Sequence, residues 1–265
     1  MEKSAGGVQS VERALTLLEA LAQQEDGARL SDLARTAGLA ASTTHRLLTT
    51  LEQRGFAQSD SSNGRWHVGR RAFAVGAAFA QRRNFVVPAL PFLRRLRDLT
   101  RETANLGVIE DGEVITLSQV ESREIMRAIS PPGGRVPVLC SGMGKAILST
   151  WDDREIDRLM ERHGLKGMTQ HSLTNRAAVQ EEIDKIRQRG YALDDEEYVV
   201  GLRCVASVVW GPDGEAACAI SVSGLAARIP QSRIPEIGAT VRALAQELTE
   251  VLGGRRPGTA QPLRA

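Results

Sequence analysis

The stretch Leu30-Ser31-Asp32-Leu33-Ala34-Arg35-Thr36-Ala37-Gly38-Leu39-Ala40-Ala41-Ser42-Thr43-Thr44-His45-Arg46-Leu47-Leu48 decides the fold of the first part of this chain. Ser31 offers an N-cap, and Leu33, Ala34 and Ala37 give a short helix that stops at Gly38, where a left-handed backbone carries no Cβ penalty. A second helix begins at Ala41 or Ser42 and turns Leu47, Leu48 and Leu51 inward until Gly55. Small Ala34 lets the two helices approach, and the return of Leu47 to the core pushes the start of the second helix outward. This is the layout of a helix-turn-helix. Its outward positions carry hydrogen-bonding groups: Ser42, Thr43 and Thr44 suit phosphates or base edges, and Arg46 can fork onto guanine or pair with a phosphate. Two readings of His45 stay open, one facing a duplex and one filling the helix interface.

Upstream, Ser10 is placed to cap a helix with Val11, Ala14, Leu15, Leu18 and Leu21 along one buried stripe. Downstream, residues 56–58 and 65–68 read as two short strands around Asn63-Gly64, a wing from which Arg65 would reach the backbone of a duplex. Charge agrees with that reading. From Arg29 to Arg83 there are nine arginines and no lysine against Asp32, Glu52 and Asp60, whereas the remainder of the chain from Asn84 holds 23 basic and 24 acidic residues. A basic block beside a near-neutral larger one points to a polyanion-binding module attached to a second function.

An alanine-rich helical segment follows over residues 70–83, and its stripe of Phe73, Gly76, Ala77 and Ala80 either docks on a second copy or packs on its own domain. After a break at 84–88, Leu90, Leu93, Leu96 and Leu99 mark the next helix. Strand-like runs at 104–109, 113–120 and 125–129 come next, with Asp111-Gly112 as a hairpin turn. Helical patterns at 142–150, 153–163 and 175–188 lead to strands at 191–193, 203–210 and 215–223 and a closing helix over 232–252. The expected class is α+β: a winged helix-turn-helix domain (1–69), a linker helix (70–86), a C-terminal domain with an antiparallel sheet flanked by helices (87–253), and a flexible tail (254–265).

The 265 residues, 42% hydrophobic and 25% charged, exclude a disordered chain, a collagen-like fibre and a coiled-coil rod. No apolar run approaches the roughly 18 residues that cross a bilayer, and the N-terminus lacks the apolar core of a secretion signal, so a cytoplasmic protein with no membrane partner is expected. Cys140, Cys204 and Cys218 are widely spaced without a C-x-x-C pair, which argues against a disulfide framework or structural zinc and for buried thiols.

Several features of the second part bear on chemistry. Ser141-Gly142-Met143-Gly144-Lys145 looks phosphate-cradling, but a P-loop needs glycine at Leu139 and Ser or Thr at Ala146. It reads better as a turn into a helix whose N–H groups on Gly142 and Met143 hold a carboxylate. The acidic run Asp194-Asp195-Glu196-Glu197 reads as a solvated loop, since consecutive extended side chains point to opposite faces and do not converge on a metal. Ser221 and Ser223 alternate on one strand, so both hydroxyls face one side, as a ligand floor or as strand filler. With no paired acid and base, metal triad or cofactor motif, an enzyme is not expected.

The helix-turn-helix, the stretches Pro131-Pro132-Gly133-Gly134-Arg135-Val136-Pro137 and Cys140-Ser141-Gly142-Met143-Gly144-Lys145-Ala146, and the run from Gly190-Tyr191-Ala192-Leu193-Asp194 through Gly201-Leu202-Arg203-Cys204 to Ser221-Val222-Ser223-Gly224 together resemble the IclR family of bacterial transcription regulators. The likeness covers nearly the whole chain. It implies a GAF-like effector domain behind the winged helix-turn-helix, a homodimer or homotetramer, a double-stranded DNA operator, and small organic acids or aromatic catabolites as effectors. Carried onto matching positions, it implies backbone donors at Gly142 and Met143, polar contacts at Asp194, Cys204, Ser221 and Ser223, and an apolar wall including Ile125 and Ala128. An ionised Asp194 would accept from a ligand hydroxyl and leave the carboxylate to other groups. The expected function is a regulator, a repressor in preference to an activator, controlled by a carboxylate-bearing metabolite. The alternatives are an enzyme with a DNA-binding appendage, and a redox or metal sensor built on the three cysteines.

Overall fold

Leu17, Leu21, Leu33 and Leu48, each at most 2% exposed, meet in the core of a first unit spanning residues 1–83; residues 84–265 form a second. The computed structural model describes residues 7–24, 26–82, 85–128 and 130–256, with the backbone alone for 77–82. The first unit runs α1 (Gln9–Ala22), β1 (Ala28–Arg29), α2 (Leu30–Thr36), α3 (Ala41–Gln53), β2 (Ala57–Asp60), β3 (Arg65–Val68) and α4 (Arg70–Arg82). Its three strands pair antiparallel in the order β1-β3-β2, with Trp66 of β3 closing the core under the helices.

Gly38, Gly55 and Gly64 take φ of 63°, 74° and 68°, so they turn the chain where expected. The α1 stripe is displaced. Val11 and Leu15 are more than half exposed, and Leu17 takes the inward place beside Leu21. This helix carries two overlapping apolar seams, and the one that meets Leu48 and Trp66 is buried. Neither Ser10 nor Ser31 caps a helix: the N-cap residues are Val8 and Arg29, without side-chain bonds. On α4, Phe73 is 80% exposed and so does not pack on its own unit; the side chains of Ala77 and Ala80 lie outside the described residues.

The second unit comprises α5 (Val86–Thr100), β4 (Thr103–Glu110), β5 (Glu113–Val120), β6 (Arg135–Pro137), α6 (Gly142–Leu148), α7 (Asp153–His163), α8 (Arg176–Arg189), β7 (Ala192–Asp195), β8 (Leu202–Trp210), β9 (Ala216–Leu225) and α9 (Ile234–Val251). Its sheet is antiparallel throughout, in the order β6-β5-β4-β9-β8-β7. The two-residue period of a strand assigns the faces. Ala104, Leu106 and Val108 of β4 join Val205, Ile220 and Val222 against α5 and α9, while Ala206 and Ala219 pack with α6, α7 and α8 on the other side.

Two expectations fail here for local reasons. Leu99 is 64% exposed, and Thr100 is buried in its stead, donating from Oγ1 to the Leu96 carbonyl at 2.7 Å. The described part of 125–129 is not a strand. Side chains hold this segment where a ladder would: Thr103 Oγ1 donates to the Ala128 carbonyl at 2.9 Å, and Ser122 Oγ to the Arg101 carbonyl at 2.6 Å. Ile129 itself, and residues 257–265 of the expected tail, lie outside the described residues, whereas Arg255 is bonded through its N–H to the Gly211 carbonyl at 3.2 Å. No described helix is long and apolar enough to cross a membrane.

Candidate functional site

In the first unit the outward side of α3 presents Ser42, His45 and Arg46, all exposed, with Thr43 half-buried beside them. His45 therefore faces away from the helix interface. Thr44, expected outward, is instead fully buried, and its Oγ1 donates to the Ala40 carbonyl at 3.1 Å. The cause is helical periodicity: Thr44 lies four residues before Leu48 and shares its inward face. Arg65 is half-buried, with Nη1 donating to the Gly27 carbonyl at 2.8 Å, so it ties the wing to the segment entering β1. At the wing tip Asp60 accepts from the Ser62 N–H (2.9 Å) and hydroxyl (2.6 Å) and from Asn63 Nδ2 (2.8 Å), which closes the turn and holds its carboxyl below the usual range.

In the second unit the register sets Asp194 opposite Cys204 and Cys204 opposite Ser223, a row of three polar side chains across β7, β8 and β9. Two residues along, Ser221 stands opposite Asn105 of β4. Asn105 Nδ2 donates to Ser223 Oγ at 3.1 Å and lies 3.4 Å from Ser221 Oγ, while its Oδ1 accepts from Gln119 at 3.1 Å. This row floors a cavity of about 230 Å³, whose walls include Ala128, Ser141, Met143, Asp194 and Cys204 as well as Asn105 and Ser223.

Of the expected contacts, Ala128, Met143, Asp194, Cys204 and Ser223 thus converge. Ser221 is fully buried behind Asn105, and Gly142 packs under the wall, where an added Cβ would lie 3.0 Å from the Cys204 carbonyl oxygen. Ile125 does not join them. It is 97% exposed, because the segment after β5 leaves the sheet and is pinned through Ser122 and Ala128. Ser141 Oγ caps α6 by accepting from the Gly144 N–H at 3.3 Å. Gly144 is required for that seat: a Cβ there would stand 2.2 Å from the Val138 carbonyl oxygen.

The acidic run is not solvated as expected. Asp194 and Glu197 are 7% and 5% exposed, while Asp195 and Glu196 turn to Arg203. Strand alternation ends at Asp195, and the left-handed φ of 61° at Glu196 brings Glu197 back inward. It pairs there with Lys145, which is fully buried and also donates to the Leu193 carbonyl at 2.5 Å. Glu197 Oε2 has no hydrogen-bond partner, and the Glu197 N–H donates to Asp194 Oδ1 at 2.8 Å. The ammonium is thus paired with Glu197, and Asp194 feels its charge without bonding to it.

Burial pushes Asp194 up to about 7, against the lowering effect of Lys145, and Glu197 adds to the rise. Glu197 is raised for the same first cause, with Lys145 opposing. Burial also pushes the Cys204 thiol up to about 11 and raises that of Cys140, so neither is an activated nucleophile. Among the described residues no group of three or more His, Cys, Asp or Glu is placed to hold a metal.

Asn105 was not singled out in the sequence, and Lys145 only as the end of the phosphate-cradling stretch, not as the partner of Glu197. Asn105 was signalled only by polar Thr103 and Asn105 alternating with Ala104 and Leu106; Lys145 only by its place in an otherwise apolar helix.

The domain described as the IclR helix-turn-helix matches residues 10–61, and the one described as bacterial transcriptional regulator IclR C-terminal matches residues 77–250. The acetate operon repressor of Salmonella typhimurium is 42% identical over 253 residues, covering 95% of this chain and 92% of that protein. The HTH-type transcriptional regulator BhcR of Paracoccus denitrificans is 41% identical over 254 residues, covering 96% and 91%. Among solved structures, the Thermotoga maritima IclR superposes with a TM-score of 0.77 at 25% identity, over 92% of this chain and 98% of that one.

Proposed function

This chain belongs to the IclR family of bacterial transcriptional regulators, and from that premise we propose that it is a cytoplasmic homo-oligomeric repressor whose grip on a DNA operator changes when a small carboxylate-bearing metabolite enters the cavity of its second unit. In this reading residues 1–69 bind DNA, 70–86 link, and 87–253 sense the metabolite. Ser42, His45 and Arg46 on the outward side of α3 read the major groove, with Thr43 at its edge. One such helix contacts too few bases for useful specificity, which favours at least two copies on paired half-sites.

The observation that carries the sensing half is the polar floor of Asp194, Cys204, Ser223 and Asn105 beneath a cavity of about 230 Å³, a volume suited to a ligand of a few carbons. In this reading the backbone N–H groups of Gly142 and Met143, at the start of α6, are assigned to the ligand's carboxylate. The names of relatives such as the acetate operon repressor support repression as the direction of control. A ligand shifts operator occupancy by binding one quaternary arrangement better than another.

Fluorescence-anisotropy titration against duplexes from beside the protein's own gene, at fixed salt, tests both halves. Arg46→Ala should weaken specific binding by about 1–3 kcal/mol, whereas Ser221→Ala with Ser223→Ala should keep operator affinity and lose the response to metabolite. Unchanged affinity in Arg46→Ala removes the assigned role of α3.

A further inference from the structure

An anion entering the cavity of the second unit meets no cation without a carboxylate partner among the described residues that line it. Arg203 is bonded through Nε to Asp195 at 2.6 Å and through Nη1 to the Ile229 carbonyl at 2.9 Å. Arg135 is shared between Glu110 at 3.0 Å and Glu113 at 3.3 Å. Behind the wall, the buried Lys145 ammonium is taken by Glu197 and the Leu193 carbonyl. The groups facing Asp194 from the elements packed on it are Lys145 of α6, Glu197 and Tyr198 of the following loop, Cys204 of β8, and Cys140 before α6. Lys145 is the one cation among them.

We propose that this cavity takes a carboxylate ligand together with one proton, which Asp194 holds, so that a neutral carboxyl of the protein donates a hydrogen bond to the carboxylate of the ligand. The inference rests on reading the cavity as the effector site. Charge arithmetic favours it: with Asp194 ionised, the ligand and the buried Asp194, Glu197 and Lys145 sum to two negative charges, and a proton reduces this to one. The proton comes from solvent, and no covalent bond of the ligand changes. Asp194 already stands near 7 before any anion arrives, and a neighbouring carboxylate raises it further. An Asp194 that stays ionised offers the ligand acceptors only and repels its carboxylate.

Isothermal titration calorimetry on the full-length protein, with lactate, propionate and benzoate as probes between pH 6 and pH 9, tests this. Affinity for a carboxylate that binds should fall about 100-fold across that range, approaching tenfold per unit above 7. Heats measured in buffers of unequal ionisation enthalpy should report uptake of close to one proton at pH 8.5. Asp194→Asn, a permanently neutral donor, should flatten the pH dependence and abolish the uptake; should that variant not fold, the proton count of the parent decides alone. A probe bound with pH-independent affinity and no proton uptake overturns the inference and leaves the effector reading standing. If none of the three binds at pH 6 or pH 8.5, the carboxylate reading falls and the inference with it.

Discussion

Lys145→Met keeps the apolar stem of a fully buried side chain and removes only its charge. The ammonium is sealed, with 1% of the Lys145 side chain and 7% of that of Glu197 exposed, and Glu197 Oε2 has no hydrogen-bond partner. Without Lys145 the Glu197 carboxylate either stays charged or takes a proton. An unpaired buried charge costs about 3–5 kcal/mol. Protonation from a reference of 4.5 costs about 1.4 kcal/mol per pH unit, hence about 4 kcal/mol at pH 7.5 and about 1.4 kcal/mol at pH 5.5. The cheaper route wins at each pH, so the variant should lose about 3–4 kcal/mol at pH 7.5 and about 1–2 kcal/mol at pH 5.5. The sign follows from linkage: a carboxyl whose folded pKa is raised makes the native state bind more protons, so stability falls as pH rises above the unfolded value. Adding Glu197→Gln removes the orphaned charge and should restore most of the loss and its pH dependence. Urea unfolding followed by Trp151 and Trp210 fluorescence, with Trp66→Phe as the background, reads the second unit. A loss below about 1 kcal/mol at pH 7.5, or an equal loss at both pH values, would refute the reasoning.

Asp194 predicts a related profile in the parent. Its rise from 3.8 to about 7 lowers stability progressively across that window by up to about 4 kcal/mol, so Asp194→Asn should gain relative stability from pH 4 to pH 7 and plateau above; a difference flat with pH in denaturant titrations contradicts this. Thr44→Val, which removes a buried hydroxyl bonded only to the Ala40 carbonyl, should leave operator affinity within about twofold, since hydroxyl removal there touches packing and not the groove. A tenfold loss in anisotropy titrations, with unchanged melting, would return Thr44 to the interface. Gly144→Ala drives a Cβ to 2.2 Å from the Val138 carbonyl, so it should cost about 2 kcal/mol or more. Hydrogen exchange should localise the damage to α6 and its neighbours and leave α3 protected.

How much of this was legible beforehand depended on whether the deciding force was local. α7 (Asp153–His163) and β5 (Glu113–Val120) coincide with the expected ranges because an Asp152 capping box starts the first and Asp111-Gly112 turns the chain into the second. β1, two residues long, has no period to read; it exists because β3 has an open edge for Ala28 and Arg29. Residues 125–128 have strand composition, yet a tertiary bond from Thr103 to Ala128, with Ser122 tied to Thr103 and Arg101 just before them, holds them in another conformation. In the cavity, alternation correctly placed Ser221 and Ser223 on one face. The partners of that face, Asn105 across β4 and Lys145 beneath β7, depend on strand register and helix packing between residues far apart in the chain. No local pattern encodes those contacts.

The charge imbalance beside the cavity links stability to recognition. Replacing Lys145 and Glu197 by well-packed apolar residues would cost little or even stabilise the unit, by the ordinary energetics of buried pairs. What such a replacement removes is an environment in which Asp194 sits at the edge of ionisation. With the pair present, Asp194 feels one ammonium and one carboxylate at close range, and burial decides its protonation near neutral pH. A carboxylate and its amide then part company with pH: the acid gains a donor as Asp194 protonates, whereas the amide, carrying its own donors, meets an acceptor when Asp194 ionises. Selectivity between the two therefore rises as pH falls through about 7, and it rises for the same reason that the folded unit gains stability over that interval. Both effects come from one carboxyl that the protein buries without a cation of its own.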